Sequence, residues 1–383
     1  FSPPTQTTLH YRIVTPMFLG GENQQADAAQ FRNASFKGAL RFWWRALNWG
    51  RAVQETNGDH DAALRHLHAR EGGLFGLASD GKDSSQQSRV QIHSDLQGAT
   101  LRPPGMALQT VGYLLGQGLF DLGTGVKRQY LEGGELTIRL SFKPGMAEAD
   151  IQSVEQAAIA LGLLGGLGSR ARKGLGSLAL HHLERPGQPV REFTTEAGIQ
   201  VFIQTLDFSA PSDAPLSAFT RHTRIDMSAT KGKASEALKA IGDALQLYRG
   251  YGRYNPQHQQ HEVNNQKALQ RFPEDHDNVL AAIQGRRLQQ LPQRAVFGLP
   301  HNYFFSSIKS GLEITAEKQG RRASPLLVHI HPLQDGRFVA IQTLLPTMFL
   351  PGGIKVEAKR KNNGTYAIPD SKVDYIHITR YLD

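Results

Sequence analysis

The order of apolar and polar positions divides the chain into elements of two periods. TQTTLHYRIV at 5–14 reads as an opening strand, and SFKGALRFWWRAL at 35–47 changes to the period of a helix. At about 100° per residue, Phe36, Leu40, Trp43 and Leu47 share an arc with Trp44 at its border, while Lys37, Arg41 and Arg45 form a stripe elsewhere on the helix. The pattern predicts a helix over 35–49, a second helical stretch near 59–70, and a polar loop over 78–90 containing SDGKDSSQQ. RVQIHSDL at 89–96 and ELTIRLSF at 135–142 read as strands, the latter with Leu136, Ile138, Leu140 and Phe142 on one face. A helix over 148–165 follows, with Ile151, Val154, Ala158, Leu161 and Gly165 along one side and Glu148 and Asp150 near its start. It ends in GGLGSRARKGLGS at 165–177, and SLALHHLE at 177–184 is the next strand. Strand–helix–strand–strand–helix–strand over 5–184 is the order of a ferredoxin-like, split βαβ domain with elaborations.

RPGQPVRE at 185–192 reads as a linker, which divides the chain into domains over 1–190 and 191–383. Beyond it the pattern predicts a helical or mixed stretch at 192–208, a strand at 215–227, and an amphipathic helix at 234–249 with Leu238, Ile241, Leu245 and Tyr248 on one face. GYGRYNPQHQQHEVNNQ at 250–266 is polar and is expected to be a mobile loop. Strands near 294–298, 325–332 and 337–345 complete a second α+β domain. MFLGG at 17–21 is echoed by MFLPGG at 348–353, a short match that permits a duplicated fold without requiring it.

Composition narrows the function. The 383 residues hold no cysteine, which removes disulfide scaffolds, thiolate zinc sites and cysteine nucleophiles together and fits a reducing, cytoplasmic setting. Forty-three Lys and Arg against 34 Asp and Glu give a net charge of +9, a balance that favours a polyanionic partner, nucleic acid first. No run of apolar residues is long enough for a membrane span, and FSPPTQTTLHYR lacks the pattern of a signal peptide, so no membrane partner is expected.

The candidate chemistry lies in two basic features. The Lys37–Arg41–Arg45 stripe fits either a core helix whose cations sit in water or a seat for a polyanion. GGLGSRARKGLGS combines five glycines with Arg170, Arg172 and Lys173. It has neither the P-loop spacing nor the preceding strand of a dinucleotide fingerprint. Its glycines permit close backbone approach and exposed N–H groups, and its cations suit phosphates, whereas the alternative is a plain connector. Arg102 and the pair Lys127–Arg128 extend the candidate basic surface.

The 15 histidines give little support to catalysis or to metal. His329 and His331 share one face of a strand but lack an identifiable third ligand. His60-Asp61 and His276-Asp277 occupy polar, helix-starting contexts where the aspartate suits a cap or first turn. His181 and His182 point to opposite sides of a strand and read as structural. His10 sits where a general base of a metal-free ribonuclease is conceivable, with no paired acid at a recognisable spacing. The expectation is therefore no catalytic residue, no metal and no cofactor.

TPMFLGG at 15–21 followed by SFKGALRFWWRAL at 35–47 resembles the N-terminal signature of the CRISPR RAMP superfamily. Within it, the tryptophan-pair helix resembles the first-subunit family of Cmr (type III-B) RNA-targeting effector complexes. GGLGSRARKGLGS resembles the RAMP glycine-rich loop, and RAVFGLPHNYFF at 294–305 and RRASPLLVHIHPL at 321–333 look like the second half of the same subunit. The chain departs from the family pattern at Asn33-Ala34, where a proline often precedes the helix serine, and at Lys173 and Leu175, which replace an arginine and an aromatic. Positive charge survives these departures, while loop stiffness and stacking change.

The resemblance implies two tandem ferredoxin-like (RRM-like) RAMP domains with insertions. It implies a non-catalytic subunit that engages the 3′ part of the CRISPR RNA and the complementary target RNA beside other RAMP subunits of the complex. Cleavage in that family belongs to the repeated backbone subunit, and no counterpart of its catalytic aspartate maps onto this sequence. On this reading Lys37, Arg41 and Arg45 contact RNA from the helix edge, Arg170, Arg172 and Lys173 from the glycine loop, and Lys127 and Arg128 beside them. Trp44 is assigned to the core, with base stacking as the alternative.

Overall fold

The computed structural model describes residues 4–20, 29–78, 85–230, 232–305, 307–318, 320–350, 352–360 and 364–383. It separates into two compact units, one of residues 1–239 with 327–345 and one of 240–326 with 346–383. These units are drawn by contact and cut the chain at other points than the division near residue 190.

The first unit is built on a five-stranded antiparallel sheet. Its strands lie in the order Val90–Gln97, Glu135–Phe142, Thr5–Ile13, Leu178–Glu184 and Arg191–Glu192. Numbered by appearance, the first four stand 2-3-1-4, which is the ferredoxin-like arrangement expected from the element order. Leu136, Ile138, Leu140 and Phe142 all point inward with no exposed surface, as their alternation requires. The linker expected over 185–192 is a turn whose last two residues pair with His182 and Leu183, so it extends this sheet.

Two long helices, Asn33–Glu55 and Glu148–Leu164, pack on the sheet's inner face. The first buries Phe36, Leu40, Trp43 and Trp44 as its periodicity predicts, and runs beyond the expected end because Trp49, Ala52 and Val53 continue the apolar arc. The second is buried on nearly every side from Ala157 to Leu164, so it lacks the single apolar stripe of a surface helix. Its buried carboxylate, Glu155, is satisfied by Thr7 Oγ1 at 2.5 Å and by Arg185 Nη1 at 3.5 Å. A third helix, His60–Phe75, begins at Asp59, whose carboxylate accepts from Ala62 N–H, so His60-Asp61 does open a helix.

A second sheet of this unit orders Arg224–Thr230, Phe338–Leu344 and Leu326–Pro332. The last two are buried along nearly their whole length and therefore read as continuous apolar runs. The strand expected over 215–227 begins only at Arg224, because Phe219 N–H donates to Ala46 and Thr220 N–H to Thr223 Oγ1, forming a turn. The 192–208 stretch holds the helix Glu196–Gln204, started by Thr195 Oγ1 accepting from Gly198 N–H.

In the second unit a four-stranded sheet runs His301–Phe305, Ser310–Ala316, Val356–Arg360 and Thr365–Ile368. The segment 250–266 is not a loop: Arg253–Asn255, Gln260–Val263 and Gln266–Lys267 pair as a small antiparallel sheet. Its turns use Gln259, Asn264 and Asn265 at φ of 51°, 49° and 61°, a left-handed conformation that asparagine tolerates. The strand expected near 294–298 is instead a 3₁₀ turn, Gln293–Phe297, started by the buried Asp275 carboxylate accepting from the N–H groups of Gln293 and Arg294. Asp275 opens the Pro273–Ile283 helix, which also carries His276-Asp277, and the His276 ring stacks on Tyr251 at 3.7 Å.

The helix Ala234–Arg249 has the bounds and buried face expected of it, with Leu238, Ile241, Leu245 and Tyr248 inside. Of the 78–90 loop, residues 79–84 lie outside the described residues, as do Gly21 and Pro351 of the short echo. Met17 of that echo is fully buried and Met348 is 38% exposed, so the two copies occupy unlike surroundings.

Candidate nucleic-acid interface

The segment Thr15–Leu19 joins the two sides of the basic region by backbone pairing. Met17 exchanges both hydrogen bonds with Leu131, at 2.9 and 3.0 Å. Pro16 C=O accepts from Gly176 N–H and Phe18 C=O from Ser169 N–H, each at 2.8 Å, while Thr15 Oγ1 donates to Gly174 C=O. The glycine loop therefore lies against this segment on one side, and the 130–131 segment lies on the other.

Close approach explains two of the loop glycines. A Cβ on Gly168 would stand 2.5 Å from Phe18 O, and one on Gly176 would stand 2.0 Å from Leu167 O, with φ of +90° and +63°. Several of the N–H groups read as phosphate donors serve the fold: Leu167, Ser169, Lys173, Gly174 and Gly176 donate to protein carbonyls. What the loop displays is charge more than backbone. Arg170 is exposed at φ +65°, and Arg172 and Lys173 are half-buried in a 3₁₀ turn.

Arg170 and Lys127 meet on one turn. Arg170 Nε donates to Leu115 C=O at 2.9 Å, and Lys127 Nζ donates to Gln117 C=O at 2.9 Å. Arg128 is exposed beside Lys127. Arg172 leans the other way, its guanidinium 5.1 Å from the Phe42 ring and 3.4 Å from Ser217 Oγ. Arg102 pairs with Glu132 at 2.7 Å, which offsets its charge at the surface.

The helix stripe is organised differently. Arg41 Nε and Arg45 Nη1 each lie 2.5 Å from the same oxygen of Glu71, on the His60–Phe75 helix. Glu71 is buried and each arginine side chain is about one-third exposed, at 33% and 35%. Burial, with Arg41 next to it, lowers the Lys37 ammonium from its ordinary range. Two of the three stripe cations therefore also close a helix–helix seam. Trp44 is fully buried, with Nε1 donating to Ser153 Oγ at 3.0 Å, so it is an anchor of the core and no platform for a base.

Two histidine pairs differ in their surroundings. His329 and His331 are fully buried and fully engaged: His329 Nδ1 contacts Gly165 O at 2.6 Å and His331 Nε2 contacts Phe193 O at 2.8 Å. Burial pushes His329 down to about 4, and burial with the neighbouring His329 holds His331 well below its ordinary value. His10 and His182 instead pair across neighbouring strands of the first sheet, their rings stacked 4.2 Å apart, with Glu184 Oε1 3.3 Å from His182 Nε2. The sequence reads His182 as structural and does not single out Glu184, because the pairing that sets them beside His10, with a bulge between His10 and Tyr11, is not visible in it.

The family model of the RAMP superfamily matches residues 10–179, the stretch that holds most of the first sheet, both packed helices and the glycine loop. The fold is similar to that of Cmr1 from Pyrococcus furiosus in its apo form, with a TM-score of 0.53 and 17% identity over 98% of this chain and 96% of that one. It is similar as well to a chain in the cryo-EM structure of the type III-B Cmr-beta bound to cognate target RNA, with a TM-score of 0.53 and 11% identity over 99% and 98% of the two chains. At these identities the likeness is one of fold. No curated protein matches the sequence. No helix among the described residues is long and apolar enough to cross a membrane.

Proposed function

We propose that the chain is a non-catalytic RNA-binding subunit of a type III-B CRISPR (Cmr) effector complex, engaging the 3′ part of the CRISPR RNA and its duplex with target RNA in antiviral defence. Its partners on this reading are CRISPR RNA, complementary target RNA and other RAMP subunits, and its place of action is the cytoplasm. Residues 1–190 form one RAMP module with the glycine loop, and 191–383 form a second RAMP-like module.

The observation that carries the reading is the convergence of Arg170 and Lys127 on the Leu115–Gln117 turn, with Arg128 and Lys173 near them in the chain and Arg172 on the side toward Phe42. Lysines and arginines held by backbone carbonyls are placed to meet phosphates and carry no code for bases. That suits a protein whose sequence selectivity is delegated to guide pairing. The match to the RAMP family model and the fold shared with Cmr1 support the same assignment.

The test is RNA affinity against salt concentration. Each phosphate neutralised on a single strand steepens the log–log slope by about 0.7, so several contacts give a slope of about −2 or steeper. A flat slope, or unchanged affinity after Lys127, Arg128, Arg170 and Lys173 are replaced together, assigns the chain an architectural role among protein partners. Incubation with repeat RNA in chelator leaves the RNA intact on our reading. Discrete products that vanish in His10→Ala make it a metal-independent ribonuclease instead.

A further inference from the structure

We infer that His10, His182 and Glu184 form a binding site for one divalent transition-metal ion of the zinc type on the outer face of the first sheet. Their ligand atoms lie within 4.8 Å of one another, one nitrogen from each imidazole and one carboxylate oxygen. The site is built into the sheet: His10 stands directly opposite His182, and Thr8 opposite Glu184, so all three side chains leave the same face of neighbouring strands. Tetrahedral zinc with bonds of about 2.1 Å holds its ligand atoms about 3.4 Å apart. His182 Nε2 and Glu184 Oε1 already stand at 3.3 Å. His10 closes the remaining gap by rotating a half-buried ring.

The chemistry of the three donors selects the ion. Two imidazoles and one carboxylate suit zinc and its neighbours, and the set contains too few oxygens for magnesium or calcium. Three protein ligands leave a further position, and Glu184 is half-exposed at 51%, so that position opens to water.

Glu184 and Glu135 are the carboxylates whose charge reaches His10, Glu135 also standing 3.7 Å from Arg12 Nε, and Glu192 stands opposite His182 on the next strand. Among the described residues neither His10 nor His182 makes a hydrogen bond through its ring, whereas the rings of His329 and His331 are both engaged. Neither imidazole is therefore held by a protein hydrogen bond that an ion would have to break, and the carboxylate beside His182 Nε2 is itself the third ligand.

The outward face of the two central strands carries no Phe, Tyr or Trp, the large rings on which RNA stacks on RRM-like sheets. Here the outward positions of those strands are Thr8, His10 and Arg12 beside Thr137, Arg139 and Ser141.

The experiment titrates the untagged full chain, stripped with chelator, with Co²⁺ as a visible-absorbing probe and then with Zn²⁺ in competition. One saturable equivalent is expected, with the intense d–d absorption of a four-coordinate site that Zn²⁺ abolishes. His10→Ala and His182→Ala each remove it, and Glu184→Gln weakens it. If the histidine variants fail to fold, Glu184→Gln decides, because Glu184 is exposed and holds no part of the core. Absence of a saturable single equivalent, or binding unaltered in His182→Ala or in Glu184→Gln, overturns the site. RNA binding is measured separately, so this outcome is independent of the proposed function.

Discussion

One oxygen of Glu71 holds two arginines: Oε1 lies 2.5 Å from Arg41 Nε and 2.5 Å from Arg45 Nη1. The basic stripe of the first helix is therefore part of the seam with the second helix, whatever it does for a ligand. Glu71→Gln keeps the shape and removes the charge that lets these cations lie side by side. Loss of one partner of a fully buried pair costs about 3–5 kcal/mol, and the partial exposure of both guanidiniums lowers this to about 1–2 kcal/mol. Urea unfolding of the variant measures it, and an unchanged midpoint would show that the seam does not depend on this ion pair.

The buried histidine pair gives the fold a pH dependence of known sign. His329 titrates at about 4 because burial disfavours its charge, against about 6.5 in an unfolded chain. Between those values the unfolded chain binds the extra proton, so this stability is complete above about pH 6.5 and is lost as the pH falls toward 4. At about 1.4 kcal/mol per pH unit, His329 alone accounts for about 3 kcal/mol, and His331 acts in the same direction. Urea midpoints at pH 7.5 and 4.5, compared with those of His329→Gln, separate this contribution from the titrating carboxylates. The variant is expected to show the shallower pH dependence.

The first sheet was legible because its strands obey a strict alternation, as in Leu136, Ile138, Leu140 and Phe142. The small sheet at 253–267 was not, because its strands are polar and only Val263 among its central residues is buried. There the signal lay in Asn264-Asn265, a turn pair whose left-handed backbone was readable as a hairpin. RAVF at 294–297 looked like a strand because a short apolar run carries no period, and the distant Asp275 carboxylate decided for a 3₁₀ turn. In the candidate interface every named cation was visible in sequence. Their partners were not, since Glu71 stands 30 residues from Arg41 and Leu115 stands 55 from Arg170. Trp43 was given to the core by its periodicity and Trp44, at the border of the arc, by weighing core against base stacking, and both are buried.

Gly176 and Gly38 are expected to respond to alanine with opposite signs. A Cβ at Gly176 meets Leu167 O at 2.0 Å, on a backbone at φ +63° that disfavours any side chain. Gly176→Ala is expected to cost about 2–4 kcal/mol, through backbone displacement and left-handed strain together. Gly38 sits inside the first helix with nothing within 4 Å of an added Cβ. Gly38→Ala is expected to stabilise by about 0.5–1 kcal/mol through the unfolded chain's lost freedom. Thermal melts of the two variants read both effects, and equal losses would mean that loop geometry is not what requires glycine at 176.

The two basic groups are expected to separate in a joint measurement of stability and RNA affinity. Lys127 and Arg128 are exposed, and Lys127 donates to the Gln117 carbonyl and lies within reach of the Asp121 charge. Replacing both by glutamine is expected to leave the melting temperature within a degree or so, since surface changes of this kind fall within about 0.5 kcal/mol. If both meet phosphates, the salt slope becomes shallower by about 1.4, which is twice the contribution of one contact on a single strand. Arg41→Gln is expected to lower the melting temperature through the Glu71 seam, with at most one contact's change in slope. The converse pattern, a stable Arg41→Gln with a large change in slope and an inert Lys127–Arg128 pair, would move the RNA track from the glycine loop to the helix edge.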